Sequence, residues 1–583
     1  MKEWTLPALP APGLYRRAIL ARLLKLPPPR CAVAVARDIP VPTPDGLRLL
    51  ADHYAPRGVD DAPTILIRTP YGRGREVALG GGYGLAELPA QRFAERGYHV
   101  VVQGARGCFD SEGAFSPHLH EAADGRAAVD WIARQPWFNG ALGTWGPSYL
   151  GYMQWAVAAA SPPGPGSTRP GASLIMVASA ENFSVSHPDG AFGLETRLRW
   201  CQGIHIQNRL HRRPLREQLV QRFFGHAEDR LRAAFDHLPL LEADVVAAGE
   251  RLPFYRDIVT HDRPDDAYWT ARDHRAAVGR GDTPVHLVGG WYDYYLRGLL
   301  RDYGTLRAAG HRPYLTIGPW HHAHPALVRA GLQEGLAWFD AQLKGDPRGL
   351  RAGPVRLYVM GAGEWREMED FPPPSKPVRY YLHDGARLAP EPPTSGSPPD
   401  SYRYDPADPT PALGGALLAF RGAGPQDNRP LEARADVLCY TTPPLDRELE
   451  VIGPVQLELY ARSSLAHTDF LGRLCDVAPD GTSTNVCDGL FRVAPERGEV
   501  QADGCLCLQI DLWATAYRFR RGHRLRLHVS SGAHPRWSRN LGTGEPLATG
   551  VRMAVAEQTV YHDRLHPSAL VLPVVEASWQ PLG

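Results

Sequence analysis

The chain has 583 residues, too long for one ordinary domain; at about 150 residues each, two to four are expected. Its 64 Lys and Arg against 63 Asp and Glu leave a net charge of +1, which excludes a strongly basic nucleic-acid footprint and an acidic disordered tail. An apolar fraction of 43% supports a large core, and Gly with Pro make about a fifth of the chain without a three-residue period, so the excess reads as turns and loops rather than collagen or disorder.

The first segment, residues 1–35, reads as a leader. It has three prolines among its first fifteen residues and no continuous apolar core, so no signal peptide is expected. Leu14–Leu26 is interrupted by Arg16, Arg17, Arg22 and Lys25. It reads as a helix docked on the fold, with a basic amphipathic surface helix as the alternative. No run approaches the roughly 18 apolar residues of a spanning helix. The eight cysteines form no CxxC pair and no regular framework, as a reducing cytosol tolerates. A cytoplasmic protein is expected.

From residue 36 strands and helices alternate. ARDIPVPTPDGLRLLADHYAP reads as a hairpin around Pro-Asp-Gly. PTILIRTPYGR, GYHVVVQGARG, GALGTWGPSYL, ASLIMVAS, TPVHLVGGWYD and RPYLTIGPWHH are short apolar runs ending in polar or glycine-rich loops. Helical stretches such as Glu121–Gln135 separate them, the pattern of a parallel sheet covered on both faces. Between residues 185 and 280 the strand signal disappears in favour of amphipathic helices, an insertion that would cap the sheet. The core is therefore expected at 36–184 and 281–350, with the cap at 185–280. Beyond 351, Pro-rich pieces alternate with strand-like runs to residue 583, the texture of an all-β sandwich or jelly roll.

Gly146-Pro147-Ser148-Tyr149-Leu150-Gly151 follows a strand-like run and opens a helix. That is the setting of a nucleophile elbow, although Leu150 stands where the strict G-x-S-x-G pattern has glycine. A serine nucleophile needs a base, and the base an orienting carboxylate. Asp293 in GGWYD and His322 in GPWHH each follow a strand, and Ser148, Asp293, His322 is the chain order of an α/β-hydrolase triad. Asp293 also suits a helix N-terminus, a role compatible with the first; His321 and His324 are the rivals of His322. The HHxH cluster has no flanking carboxylate or Cys at metal-ligand spacing, so no metal and no cofactor are expected. The Tyr149 N–H would be one oxyanion donor. Tyr71, in RTPYGR, is a second candidate that on these grounds alone reads as an ordinary loop tyrosine. Trp145, Trp291, Tyr295 and Trp320 flank the motifs and are candidates for an aromatic acyl pocket or for core.

RTPYGR, GYHVVVQGARGCFDSEGAF, RQPWFNG, GPSYLG, HDRPDDAYW, GGWYD and GPWHH stand in the order found in the cocaine esterase (CocE/NonD) family, which the chain resembles over residues 36–575. That family is related to X-prolyl dipeptidyl-peptidases and α-amino-acid ester hydrolases. The β-rich half resembles their C-terminal jelly roll, a galactose-binding-like fold. The resemblance implies a hydrolase core, a helical cap and a β-sandwich around one site. It carries Ser148 as nucleophile, His322 as base, Asp293 as orienter and Tyr71 as oxyanion donor beside Tyr149. Two departures stand out. Gly104 occupies a position where the family places Asp, and the region of Glu181, Asp189 and Glu195 lacks the paired acids expected of an ammonium site.

The expected function is cleavage of a small-molecule ester or amide through an acyl-enzyme, by a carboxylic ester hydrolase before a peptidase. The alternatives are the same fold used in biosynthesis (acyl transfer, a lyase step or carbon–carbon bond formation on a bulky aromatic substrate) and an X-prolyl dipeptidyl-peptidase. No nucleic-acid or membrane partner is expected, and a homo-oligomer is compatible with the sequence.

Overall fold

The computed structural model describes residues 20–74, 83–161, 167–211, 213, 227–394 and 396–576. Ten strands form the first sheet: β1 (Val33–Pro42), β2 (Arg48–Pro56), β3 (Thr64–Thr69), β4 (His99–Gly104), β5 (Leu142–Pro147), β6 (Ala172–Met176), β7 (Val285–Tyr292), β8 (Tyr314–His321), β9 (Val355–Val359) and β10 (Glu364–Met368). Their spatial order is β1-β2-β4-β3-β5-β6-β7-β8-β9-β10. From β4 to β9 every pairing is parallel, and the hairpins β1–β2 and β9–β10 close the two ends.

β3 to β7 are buried along their whole length. Their side chains alternate between two layers, as a period of two requires. Ile65, Ile67, Val100, Val102, Leu174 and Val288 pack with Phe93 and Phe339 from the helices Leu88–Ala94 and Ala326–Lys344. On the opposite face Leu66 and Val101 meet Val129, Ile132 and Val157 from the helices Glu121–Ala133 and Tyr149–Ala159. Leu287 and Ile317 meet Leu299 and Leu306 from the helix Leu296–Ala308 on that face. The sheet is thus closed to water on both sides, and polar chemistry is left to the loops beyond its C-terminal edge.

Between β6 and β7 the chain leaves the sheet. The helices Leu194–Leu210, Ala227–Phe235, Ala243–Ala248 and Pro253–Thr260 pack Leu198, Leu231, Phe235, Tyr255 and Ile258 into a core of their own. Two strands beyond residue 350, β9 and β10, still pair into the first sheet, so strand pairing carries the first unit on to Met368.

Strands from Ser375 to Val575 form a second, β-rich unit whose pairings are antiparallel apart from one short parallel contact. It is fastened to the first by Met360 N–H to the Ala516 carbonyl at 2.9 Å and Tyr292 hydroxyl to the Asn485 carbonyl at 3.1 Å. The cap helix joins the same face, where Glu195 accepts the N–H groups of Leu418 and Ala419 at 2.9 and 3.0 Å.

Much of the expected leader helix at Leu14–Leu26 lies outside the described residues. Its described end is docked: Ala21 and Leu26 are buried, and Gln333 donates to the Leu24 carbonyl at 2.9 Å. Among the described residues no helix is long and apolar enough to cross a membrane.

Candidate active site

Ser148 stands at the turn between β5 and the helix Tyr149–Ala159, with φ 57° and ψ −126°. Its N–H is held by the Met176 carbonyl of β6 at 2.9 Å. A non-glycine residue with that φ is strained, and the surrounding packing enforces it. A Cβ on Gly146 would come within 2.4 Å of the Leu150 Cβ, and one on Gly151 within 2.6 Å of the Ala178 Cβ. Glycine is therefore required at Gly146 and at Gly151.

The Ser148 hydroxyl donates to His322 Nε2 at 2.9 Å, and His322 Nδ1–H donates to Asp293 Oδ2 at 2.6 Å. Asp293 follows β7 and is 1% exposed; its Oδ1 accepts the Tyr295 N–H at 2.7 Å. That second bond ties the carboxylate to the start of the helix Leu296–Ala308, so the helix-terminus role and the imidazole contact coexist. His322 follows β8 and is stacked by Tyr294, ring centroids 4.3 Å apart. Of its rivals, His321 and His324 pack against each other, and His321 meets Phe420 from the β-rich unit.

Tyr71 follows β3 and is buried, and its hydroxyl accepts the Trp200 indole N–H at 3.0 Å. Burial raises its pKa, opposed by hydrogen bonding from Trp200 and by interaction with Ser148, so the phenol stays protonated and faces the serine. The Tyr149 N–H lies at the first turn of its helix, where amides have no partner four residues back. The Tyr149 side chain is used otherwise. Its hydroxyl donates to Glu121 at 2.8 Å and accepts the His118 N–H at 2.6 Å. Burial, then the Glu121 charge, lifts this phenol well above its ordinary range.

The four aromatic pocket candidates separate. Tyr295 lies beside His322, with centroids 5.7 Å apart, and its hydroxyl donates to Asn182 at 2.9 Å. Trp145 is instead fully buried between the sheet and Phe93, donating to the Gly331 carbonyl at 3.1 Å. Trp291 donates to the Tyr358 carbonyl at 2.8 Å, and Trp320 packs against Trp365. These three stand inside strands covered by helices or by β10, so they are core. Tyr294, outside the motifs, stacks on His322, and Trp200, Phe254, Phe115, Tyr149 and His118 form an aromatic cluster beside the cap helix. Trp200 shares its face of the cap helix with Arg197, three residues earlier, which is 3% exposed.

Both sequence departures have a physical setting. A Cβ on Gly104 would lie 2.9 Å from the Ser111 hydroxyl and 3.5 Å from Arg73 Nη1. Arg73 already pairs with Asp52 at 3.1 Å and with Asp38. Glu181 pairs with Arg301 at 2.8 Å, Asp189 with Arg297 at 2.6 Å and Glu195 with Arg199 at 2.5 Å, so each acid is neutralised within the protein.

A helix-layered parallel sheet that presents a serine on a strained turn after its fifth strand defines a hydrolase of the α/β class. Residues 45–324 match the X-Pro dipeptidyl-peptidase (S15 family), and residues 349–571 match the X-Pro dipeptidyl-peptidase C-terminal non-catalytic domain. The chain is 32% identical to the cocaine esterase of Rhodococcus sp. (strain MB1 Bresler), an alignment covering 93% of this chain and 99% of that protein. Among solved structures, an aminopeptidase from the marine sediment archaeon Thaumarchaeota archaeon superposes with a TM-score of 0.77 at 21% identity, over 93% of this chain and 97% of that one. An α-amino acid ester hydrolase does so with 0.76 at 23% identity and the same coverage. The chain belongs to the S15 family, on the side of its serine esterases, and is a hydrolase of small-molecule esters or peptides.

Proposed function

We propose that the protein is a carboxylic ester hydrolase that works through a Ser148–His322–Asp293 triad and an acyl-enzyme. The observation that carries this is the continuous hydrogen-bonded chain from the Ser148 hydroxyl through His322 to the buried Asp293. In this reading His322 Nε2 takes the serine proton as Oγ attacks the ester carbonyl, and Asp293 holds the imidazole in the tautomer that can accept it. Negative charge develops on the carbonyl oxygen between the Tyr71 hydroxyl and the Tyr149 N–H. The imidazolium returns its proton to the leaving alcohol. Water then enters, His322 again acting as base, and the acid is released. The unit division that serves this site is a core at 36–184 and 281–350, a cap at 185–280 and a β-unit at 351–583, with strand pairing extending the core to Met368.

Ester hydrolysis is favoured over an aminopeptidase-like reaction because Glu181, Asp189 and Glu195 are each paired with an arginine, leaving none of them to hold a substrate ammonium. The test is turnover of an activated ester with a competing alcohol. Acid as the main product, and its loss in Ser148→Ala, supports hydrolysis; dominant transfer to the alcohol favours the biosynthetic alternative.

A further inference from the structure

Arg197 is a buried guanidinium on the cap helix Leu194–Leu210, hydrogen-bonded to Tyr295, the ring beside His322. Such a charge is costly unless an anion or a full set of acceptors meets it. Arg272, also buried, shows what a full set looks like here. It donates to the carbonyls of Pro117 and Tyr268 at 2.9 and 2.6 Å and to Ser116 at 3.2 Å, and lies over the Tyr268 ring. Arg197 has less. Its Nη2 meets the Asn182 carbonyl at 3.3 Å, it interacts with the Tyr295 hydroxyl, and its Nε has no partner.

Among the described residues no carboxylate pairs with Arg197. Glu195, two residues away, is taken by Arg199 and the amides of Leu418 and Ala419. Glu181 and Asp189 hold Arg301 and Arg297, Asp293 holds His322, and Glu121 holds Arg68 and Tyr149. The Arg197 charge acts on Tyr71, Tyr294, Tyr295 and His118, and also on His187, Cys201 and Tyr268. Trp200, one turn along the same helix, touches Tyr71 directly.

We propose that Arg197 is the anchor for a carboxylate on the substrate, so that this hydrolase acts on esters carrying a second, anionic group. The inference rests on the ester-hydrolase reading and deepens it by naming a substrate class. A planar guanidinium with an unused N–H matches a carboxylate in geometry as well as charge. The acids that would repel such a group are already neutralised by their own arginines. The ligand would thus complete the charge balance that the protein leaves open.

The test compares anionic esters with neutral isosteres. Benzyl hydrogen glutarate, with the carboxylate on the acyl part, is set against its methyl-ketone isostere. The acetate ester of hydroxymethylbenzoate, with the carboxylate on the alcohol part, is set against the corresponding acetyl compound. The wild-type protein is expected to prefer the anionic member of one pair by about tenfold or more in kcat/KM, and Arg197→Gln to lose that preference while Arg197→Lys retains part of it. The preference is a ratio within each protein, so a partly folded variant does not distort it. Absence of preference in both pairs, or a preference that survives Arg197→Gln, would overturn the proposal. A separate arm titrates glutarate into the Ser148→Ala protein, where binding is expected and is lost when Arg197→Gln is added. This binding needs no turnover: failure of the nucleophile assignment would leave it intact, whereas failure of the Arg197 assignment would remove it and leave labelling of Ser148 unaffected.

Discussion

The Trp200 indole N–H donates to the Tyr71 hydroxyl at 3.0 Å, joining the cap helix to the loop after β3. The donor that would meet the oxyanion is therefore aimed by a residue on a different structural unit. A phenol held at its oxygen by one donor can point its own proton only toward the remaining acceptor, which is the space beside Ser148. Tyr71→Phe is expected to lower kcat by about 10²–10³-fold with little change in KM. Trp200→Phe, which keeps an aromatic ring but removes the N–H and frees the phenol, is expected to lower kcat by about fivefold. Steady-state kinetics on one ester separates the two effects.

Asp293→Asn tests the orienting carboxylate. The amide oxygen can still accept the Tyr295 N–H, so the start of the helix Leu296–Ala308 should hold and thermal stability should change little. The amide nitrogen, however, presents a donor to His322 Nδ1 and favours the tautomer protonated at Nε2, which cannot accept the serine proton. A fall in kcat of up to about 10⁴-fold is expected, with a thermal midpoint near that of the parent protein.

The backbone of Ser148 predicts an order of stability among inactive variants. At φ 57° the side chain costs energy that glycine does not incur. Ser148→Gly is expected to unfold at higher denaturant than Ser148→Ala, by about 1 kcal/mol. Equal midpoints for the two variants would contradict the strained turn.

Asp302 gives a pH signature. It is buried in the helix Leu296–Ala308, where desolvation outweighs Arg301 and the Ala180 N–H and raises its pKa to about 7. In the unfolded chain the value is about 3.9. Between these limits the folded protein holds a proton the unfolded chain has released. The stability from this group is thus full below about pH 4 and is lost as pH rises through about 7. Asp302→Asn stays neutral and can still accept the Ala180 N–H. Relative to that variant, the unfolding free energy of the parent should decline with rising pH across this window, and a pH-independent difference would refute the assignment.

The fold and the three residues proposed as a triad stand out in the sequence for the same physical reason. Parallel strands buried on both faces must be apolar throughout, so a serine, an aspartate and a histidine placed just past the ends of β5, β7 and β8 stand out against them. The same rule separates the four pocket-or-core candidates. Trp145, Trp291 and Trp320 lie inside those strands and pack against covering layers, whereas Tyr294, Tyr295 and His322 lie beyond the strand ends. Position relative to the strand end carried the information, and proximity to a motif did not. Arg197 and Trp200 were hidden because a cap helix with mixed charge reads as an amphipathic surface; only the docking of that helix over Tyr71 shows which face turns inward. Tyr71 itself was marked by family resemblance and by nothing in its local sequence.

The central claim is that Ser148 is the nucleophile activated by His322. The most direct measurement is reaction with a fluorophosphonate followed by intact-protein and peptide mass analysis. One adduct per chain on the peptide containing Ser148 is predicted, formed far more slowly in His322→Ala and absent in Ser148→Ala. An adduct on another residue, or equal labelling of the Ser148→Ala protein, would contradict the account.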